Sequence, residues 1–426
     1  MNESLYKNHL RILNEELIIA LGCTEPVAIA YAAAKARQVL GEMPHHCTVS
    51  CSGNIIKNVK GVTVPNSGGL RGIDVAATLG VVGGVADFGL GVLRNITEEH
   101  QERTRKLLQS GFCTCKLIEN VATLYIIVEL TSSEHSAVVE IQNTHKNITR
   151  MEKDGKNCLS YSNQNASTDT ITKGDRSLLT VQNIIEFADA VVLSDVKPLL
   201  VSQIRHNMSI CEEGLQGHFG AEVGRVLLDG VTAPTVGLRA RAYAAAGSDA
   251  RMCGCPMPVV INSGSGNQGI AVSVPVVIYA KEYEVDEEKL LRALVVSNLI
   301  AIHQKNYIGS LSAYCGAVSA ACGAACGICY MMGYPMGVIR DTIVNTIGTV
   351  GGMVCDGAKS SCAAKISTAL QTALLGMKMA LRNCAFKAGE GLIQDNVEDT
   401  IQCFGRMGRE GMRTTDIEIL NIMLGY

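Results

Sequence analysis

The sequence has no tryptophan and only 6 phenylalanines among 426 residues. Large aromatic plates therefore do not build its core. It has 43 glycines and abundant alanine, and the expected packing is close approach of helices over small side chains, since the side chains at a contact set the distance between axes. An excess of charge of either sign is also missing: 37 basic residues face 40 acidic ones, a net of −3. That balance argues against a polybasic surface, so neither nucleic acid nor a membrane is an expected partner. The opening residues, MNESLYKNHLRILNEEL, are charged and amphipathic and lack the apolar core of a secretion signal. The expected location is therefore cytoplasmic. Long runs of large aliphatics are scarce too. Residues 311–334 carry no charge, but Gly, Ala, Ser and Cys supply most of them, which suits a buried helix better than a membrane span.

What the sequence has in quantity is cysteine, 17 residues. In a reducing compartment such residues stay as thiols, and clusters of them point to metal or catalysis before disulfides. Along the chain, Leu5, Leu10, Leu13, Leu17 and Ile18 recur near helical spacing, and 3–40 reads as helix with a break at LGCTEP;. There Thr24 is a candidate cap and Pro26 suits a first turn, which puts Cys23 just before a helix N-terminus. The run GVVGGVADFGLGVL (80–93) reads as a close-packed helix or turn. CTVSCSGNIIKNVKGVTVP and TLYIIVEL carry residues suited to strands, and HSAVVEIQNTHKNITRMEKDG reads as a strand pair with a polar turn;. The polar stretch 161–177 reads as a surface connection, and most segments from 178 onward read as helical, broken by GCPMPVVINSGSGNQG;. The expected fold class is α+β: an N-terminal α+β region over 1–177, whose first helices are free to pack on the rest, and a larger, mainly helical region over 178–426. Small-residue helix faces of this kind are compatible with a homo-oligomer.

Three sulfur patterns stand out. Cys322, Cys326 and Cys329 have the C-x3-C-x2-C spacing of radical S-adenosylmethionine enzymes. They lie inside an Ala/Gly-rich helical pattern, however, where their ends would be about 10 Å apart at 1.5 Å rise per residue. Packing is the better reading, because cysteine is a common buried small residue. Cys355 and Cys362 flank the turn-prone Asp356-Gly357 in GGMVCDGAKSSCAAKI. A turn there, followed by a helix start at KSS, could face both sulfurs toward one metal, and a fortuitous pair is the alternative. Cys23 is either a small buried residue or a thiol activated by the positive end of a helix, fit to be a ligand, nucleophile or base.

Gly264, Gly266 and Gly269 match the G-x-G-x-x-G of dinucleotide sites literally, but Pro275 interrupts the cofactor helix such a motif needs. A loop of backbone N–H groups with Ser263, Ser265 and Asn267, able to take a small carboxylate, is the better reading, beside that of a plain turn. Spacing leaves Asn54, Lys57 and Asn58, as well as His303 and Lys305 of HQKNYIGS (303–310), open between surface and site.

Taken together and in order, GCTEPVAIAYAAA, SGNIIKN, NSGSGNQGIA, HQKNYIGSLSAYCGA and GGMVCDGAKSSCAAKI resemble the L-cysteine desulfidase family, which is related to the α-subunit of iron–sulfur-dependent L-serine dehydratases. The resemblance runs from about residue 15 to the end of the chain. It implies a serine dehydratase-like fold and a [4Fe–4S] cluster held by three cysteines, Cys315, Cys355 and Cys362, with no pyridoxal phosphate. It further implies Cys23 as catalytic base and a substrate-binding loop of Ser263, Ser265, Gly266, Asn267 and Gln268. The activity it implies is elimination from a small amino acid: L-cysteine to pyruvate, ammonia and sulfide, or alternatively L-serine to pyruvate and ammonia at the same site.

Overall fold

The computed structural model describes residues 1–159, 173–309 and 311–426. Residues 161–172 of the polar stretch and the last residue of HQKNYIGS lie outside the described residues. The fold is α+β, with one mixed sheet and a large assembly of helices.

The six-stranded sheet runs in the order Cys113–Ile118, His46–Ser52, Tyr125–Thr131, Ser136–Gln142, Ile148–Lys153 and Lys156–Asn157. Only the first pair is parallel; the rest are antiparallel, and short turns join the last four strands in sequence. The alternation seen in TLYIIVEL and SAVVEI becomes one buried face. Ile126 stands opposite Ile141, Val128 opposite Val139 and Leu130 opposite Ala137, all buried, which pins the register. The helix Thr24–Leu40 covers this face. The helix Ile73–Gly83 lies against it, and a Cβ at Gly80 would fall 2.4 Å from the Ala30 carbonyl oxygen. The two backbones thus approach over small residues, as the composition led us to expect.

The helical region follows the same rule. Gly316–Met331 lies against Glu287–Ile308, with the Gly323 position only 2.4 Å from the Ser297 carbonyl oxygen once a Cβ is added. Cys322, Cys326 and Cys329 are fully buried on that helix, and Cys329 lies 3.5 Å from the Thr342 hydroxyl. They are packing residues. None of the helices among the described residues is long and apolar enough to cross a membrane.

Two local expectations change. SGNIIKN is a helix, Gly53–Val59, following the strand His46–Ser52: Ile55, Ile56 and Val59 share a buried face at helical spacing, which outweighs their β propensity. Pro275 does not end the helix Gly266–Glu282 but sits inside it. That helix is buried almost all round, and tertiary packing overrides the proline's preference. The two regions are also stitched together, because the short strand Ile19–Leu21 pairs with Pro258–Val260.

Replacing Gly80 by leucine forces the two close-packed helices apart. We expect a destabilisation of about 1–3 kcal/mol, read as a lower denaturant midpoint with an unchanged m-value.

Candidate functional site

Four helices begin at one cavity. Cys23 is the N-cap residue of Thr24–Leu40, Ser265 of Gly266–Glu282 and Cys315 of Gly316–Met331. Cys362 stands in the first turn of Ser361–Ala380. All four residues line a single cavity of about 720 Å³, together with Ser263, Asn267, Gln268 and Cys355. Helix N-termini leave N–H groups without intrahelical partners and carry partial positive charge, so this cavity is built for anions.

The sulfurs are positioned by an isolated antiparallel bridge, Tyr314 to Val354. In it the Cys315 N–H donates to the Met353 carbonyl (2.8 Å) and the Cys355 N–H to the Ala313 carbonyl (2.6 Å). That pairing sets two thiols side by side although they lie far apart in sequence. The turn at Asp356-Gly357 supplies the third: the Gly357 N–H points at the Cys355 sulfur, and its carbonyl accepts from the Cys362 thiol at 3.7 Å. Gly357 has φ +96°, and a Cβ there would lie 2.2 Å from the Lys57 carbonyl oxygen. Glycine is required on both counts. The expected turn and helix start are thus both present.

Two buried cations stand by the thiols. Lys57, 2% exposed, is ion-paired to Asp416 of the helix Arg413–Leu424. Lys305 is held down to about 8 by burial, with Cys355 and Cys315 pulling the other way and Lys57 reinforcing the fall. The thiol of Cys315, together with Lys57, the Gly357 N–H and Lys305, holds Cys355 well below the usual thiol range. Cys315, hydrogen-bonded to it and buried, is pushed up, and burial pushes Cys362 up too. His303 is different. It is fully buried, 2.7 Å from Glu398, and does not line the cavity.

Also in the cavity lining, the Cys23 thiol donates to Glu25 Oε2 at 3.1 Å, and the other carboxylate oxygen accepts from Asn58 at 3.4 Å. Burial first, and then Glu25, push the Cys23 thiol up, with Arg251 opposing. The helix N-terminus alone does not make it a thiolate. The Thr24 hydroxyl reaches the Gly264 carbonyl at 2.9 Å, tying the helix start to the glycine loop.

That loop is braced from behind. Ser263 holds a left-handed φ of +49°, an uncommon choice for a non-glycine residue. Its hydroxyl donates to Asn262 Oδ1 at 2.9 Å, and the Asn262 amide donates to Asn298 Oδ1 at 2.9 Å. Asn207 binds the Val260 N–H and both the Val260 and Gly269 carbonyls. Gly266 does not face the cavity itself; a Cβ there would lie 2.3 Å from Arg251 Nε. Its part is to let that guanidinium against the helix start.

Among the cavity residues that escaped the sequence are Glu25, Arg251 and His145. Arg251, 2% exposed, donates to Asn267 Oδ1 at 3.1 Å. His145 comes from the turn between the strands Ser136–Gln142 and Ile148–Lys153, with a buried Nε2 that has no partner. The lone arginine in the otherwise small-residue AAAGSDARM is a weak signal; a histidine in a polar turn is none.

Residues 87–421 match the family described as serine dehydratase alpha chain. The chain is 49% identical to the UPF0597 protein of Lachnoclostridium phytofermentans over 99% of this chain and 100% of that one. It is 44% identical to the UPF0597 protein of Treponema denticola over 100% and 99%, and 46% identical to the UPF0597 protein DSY1109 of Desulfitobacterium hafniense over 98% and 97%. The chain belongs to the serine dehydratase alpha-chain family, and its α+β fold is of that kind.

The depressed pKa of Cys355 means its thiolate is present above that lowered value and lost as pH falls through it. Ultraviolet titration of the apoprotein is expected to show one thiolate persisting below the ordinary thiol range. That band should be absent from Cys355→Ser and shifted upward in Lys57→Met.

Proposed function

We propose that this protein eliminates the β-substituent of L-cysteine, releasing sulfide, ammonia and pyruvate, at a [4Fe–4S] cluster held by Cys315, Cys355 and Cys362, without pyridoxal phosphate. The observation that carries this reading is the cavity, whose lining brings three thiols together with an anion-binding loop and a thiol–carboxylate pair. Among the described residues no three His, Cys, Asp or Glu side chains converge to hold a single metal ion. A cluster makes a different demand, since each cysteine takes its own iron. The donor set fits one. Its sulfurs are the soft ligands that iron–sulfur centres use, and Lys57 and Lys305 offset the charge that thiolates bring into a buried site;.

When bound, such a cluster supplies a Lewis-acidic iron for the leaving thiolate. The other tasks fall to the chain. The N-terminus of Gly266–Glu282, with Ser263, Ser265, Asn267 and Gln268, holds the substrate carboxylate and so fixes Cα. Cys23, hydrogen-bonded to Glu25, is placed to take the Cα proton as thiolate;. Loss of the β-substituent leaves aminoacrylate, which tautomerises to an imine and hydrolyses to pyruvate and ammonia. Burial of Cys23 keeps that thiolate poorly solvated and therefore basic.

The family description favours a second reading, L-serine as substrate, with water as the group first eliminated and pyruvate and ammonia as the products. Anaerobically reconstituted protein assayed for sulfide from L-cysteine and pyruvate from L-serine separates the two; turnover of serine alone sinks the first. Serine at position 315, 355 or 362 is expected to abolish the cluster's visible absorbance, whereas Cys326→Ser keeps it. Cys23→Ala should keep the cluster and lose about 10²- to 10⁴-fold in kcat.

A further inference from the structure

Arg251 is a buried cation without a counter-ion. Its one hydrogen bond goes to a neutral amide oxygen, that of Asn267, at 3.1 Å. Its Nε has no partner, and no carboxylate among the described residues pairs with it. Unpaired charge in an interior is costly and is ordinarily met by an opposite charge. The chain goes to some length to keep the guanidinium in place: position 266 is glycine, and any Cβ there would lie 2.3 Å from Nε and 2.8 Å from Cζ. The guanidinium therefore lies against the first turn of Gly266–Glu282, whose N-cap Ser265 contributes no side-chain cap. Free backbone N–H groups and a forked cation thus face the same corner of the cavity;. Next to that corner, Gln268 presents a buried Oε1 that also lacks a partner, an acceptor suited to an ammonium group.

We infer that Arg251 is the carboxylate anchor of this site, binding the α-carboxylate of an amino-acid substrate together with the N-terminus of Gly266–Glu282, and so selecting substrates by that group. This deepens the elimination reading above and rests on it for the identity of the substrate. The planar fork of arginine matches a carboxylate with two parallel hydrogen bonds, which a lysine ammonium does not reproduce. The same anchor orients Cα: Arg251 also stands within electrostatic reach of Cys23, so a carboxylate fixed there brings its α-carbon toward the base.

The test compares two substrate fragments on the reconstituted holoprotein by calorimetry. 3-Mercaptopropionate keeps the thiol and the carboxylate; cysteamine keeps the thiol and the amine. Arg251→Gln is expected to weaken 3-mercaptopropionate roughly 10- to 100-fold, the range for one charge-assisted contact, and to leave cysteamine unchanged. Arg251→Lys should fall between, and it carries the same comparison if the glutamine variant does not fold. With L-cysteine the loss should appear in KM more than in kcat. Equal weakening of both ligands, unchanged binding of both, no binding of 3-mercaptopropionate by the wild type, or a loss confined to kcat each overturns the assignment. If the wild type binds 3-mercaptopropionate through Arg251 yet turns over neither amino acid, the elimination reading fails while the anchor stands.

Discussion

The structure depends on four helix N-termini meeting in one place. Each helix begins with N–H groups that its own backbone does not satisfy, and here Thr24–Leu40, Gly266–Glu282, Gly316–Met331 and Ser361–Ala380 direct theirs at one cavity. Such a convergence favours negative charge over any neutral filling. The residues placed there answer to that field: cysteines at or next to three of the starts, and a glycine–serine loop at the fourth. Small residues make the meeting possible, because helices that touch at glycine and alanine can start close together. The same composition that leaves no tryptophan in the core thus permits the site.

Charge is balanced around the cavity by groups from distant parts of the chain. Lys57 reaches the thiols from the helix Gly53–Val59 and is itself paired to Asp416 near the end of the described chain. Lys305 comes from the end of Glu287–Ile308, and Arg251 from the end of Val236–Met252. Three buried cations stand against a thiolate, Glu25 and whatever anions the cavity receives. A buried charge is stable only when paired, so filling the cavity and folding the walls are coupled problems. The sheet takes part as well, since its His145 turn lies against the Gly264 side of the loop.

Much of this was legible in the residues. Period-two alternation marked the buried sheet face, GCTEP marked a helix start, and DG before KSS marked a turn leading to a helix. The triplet Cys322, Cys326 and Cys329 could be read as packing from helix geometry and its Ala/Gly-rich surroundings. What could not be read was tertiary. Cys315 meets Cys355 through one backbone bridge between Tyr314 and Val354, and no local spacing encodes such a bridge. Lys57 stayed open between surface and site because its partner, Asp416, lies hundreds of positions away. Pro275 looked like a helix breaker because the packing that overrides it is invisible in one dimension. Arg251 and His145 became site residues only when the loop 262–268 closed on them.

The central claim is that Cys315, Cys355 and Cys362 together hold iron in this cavity. Crystals grown anaerobically from reconstituted protein, measured at the iron absorption edge, test it most directly. Anomalous density bonded to those three sulfurs and to no other cysteine is the predicted result. Density on Cys322, Cys326 and Cys329, or a fully reconstituted protein with no iron in the cavity, would contradict it.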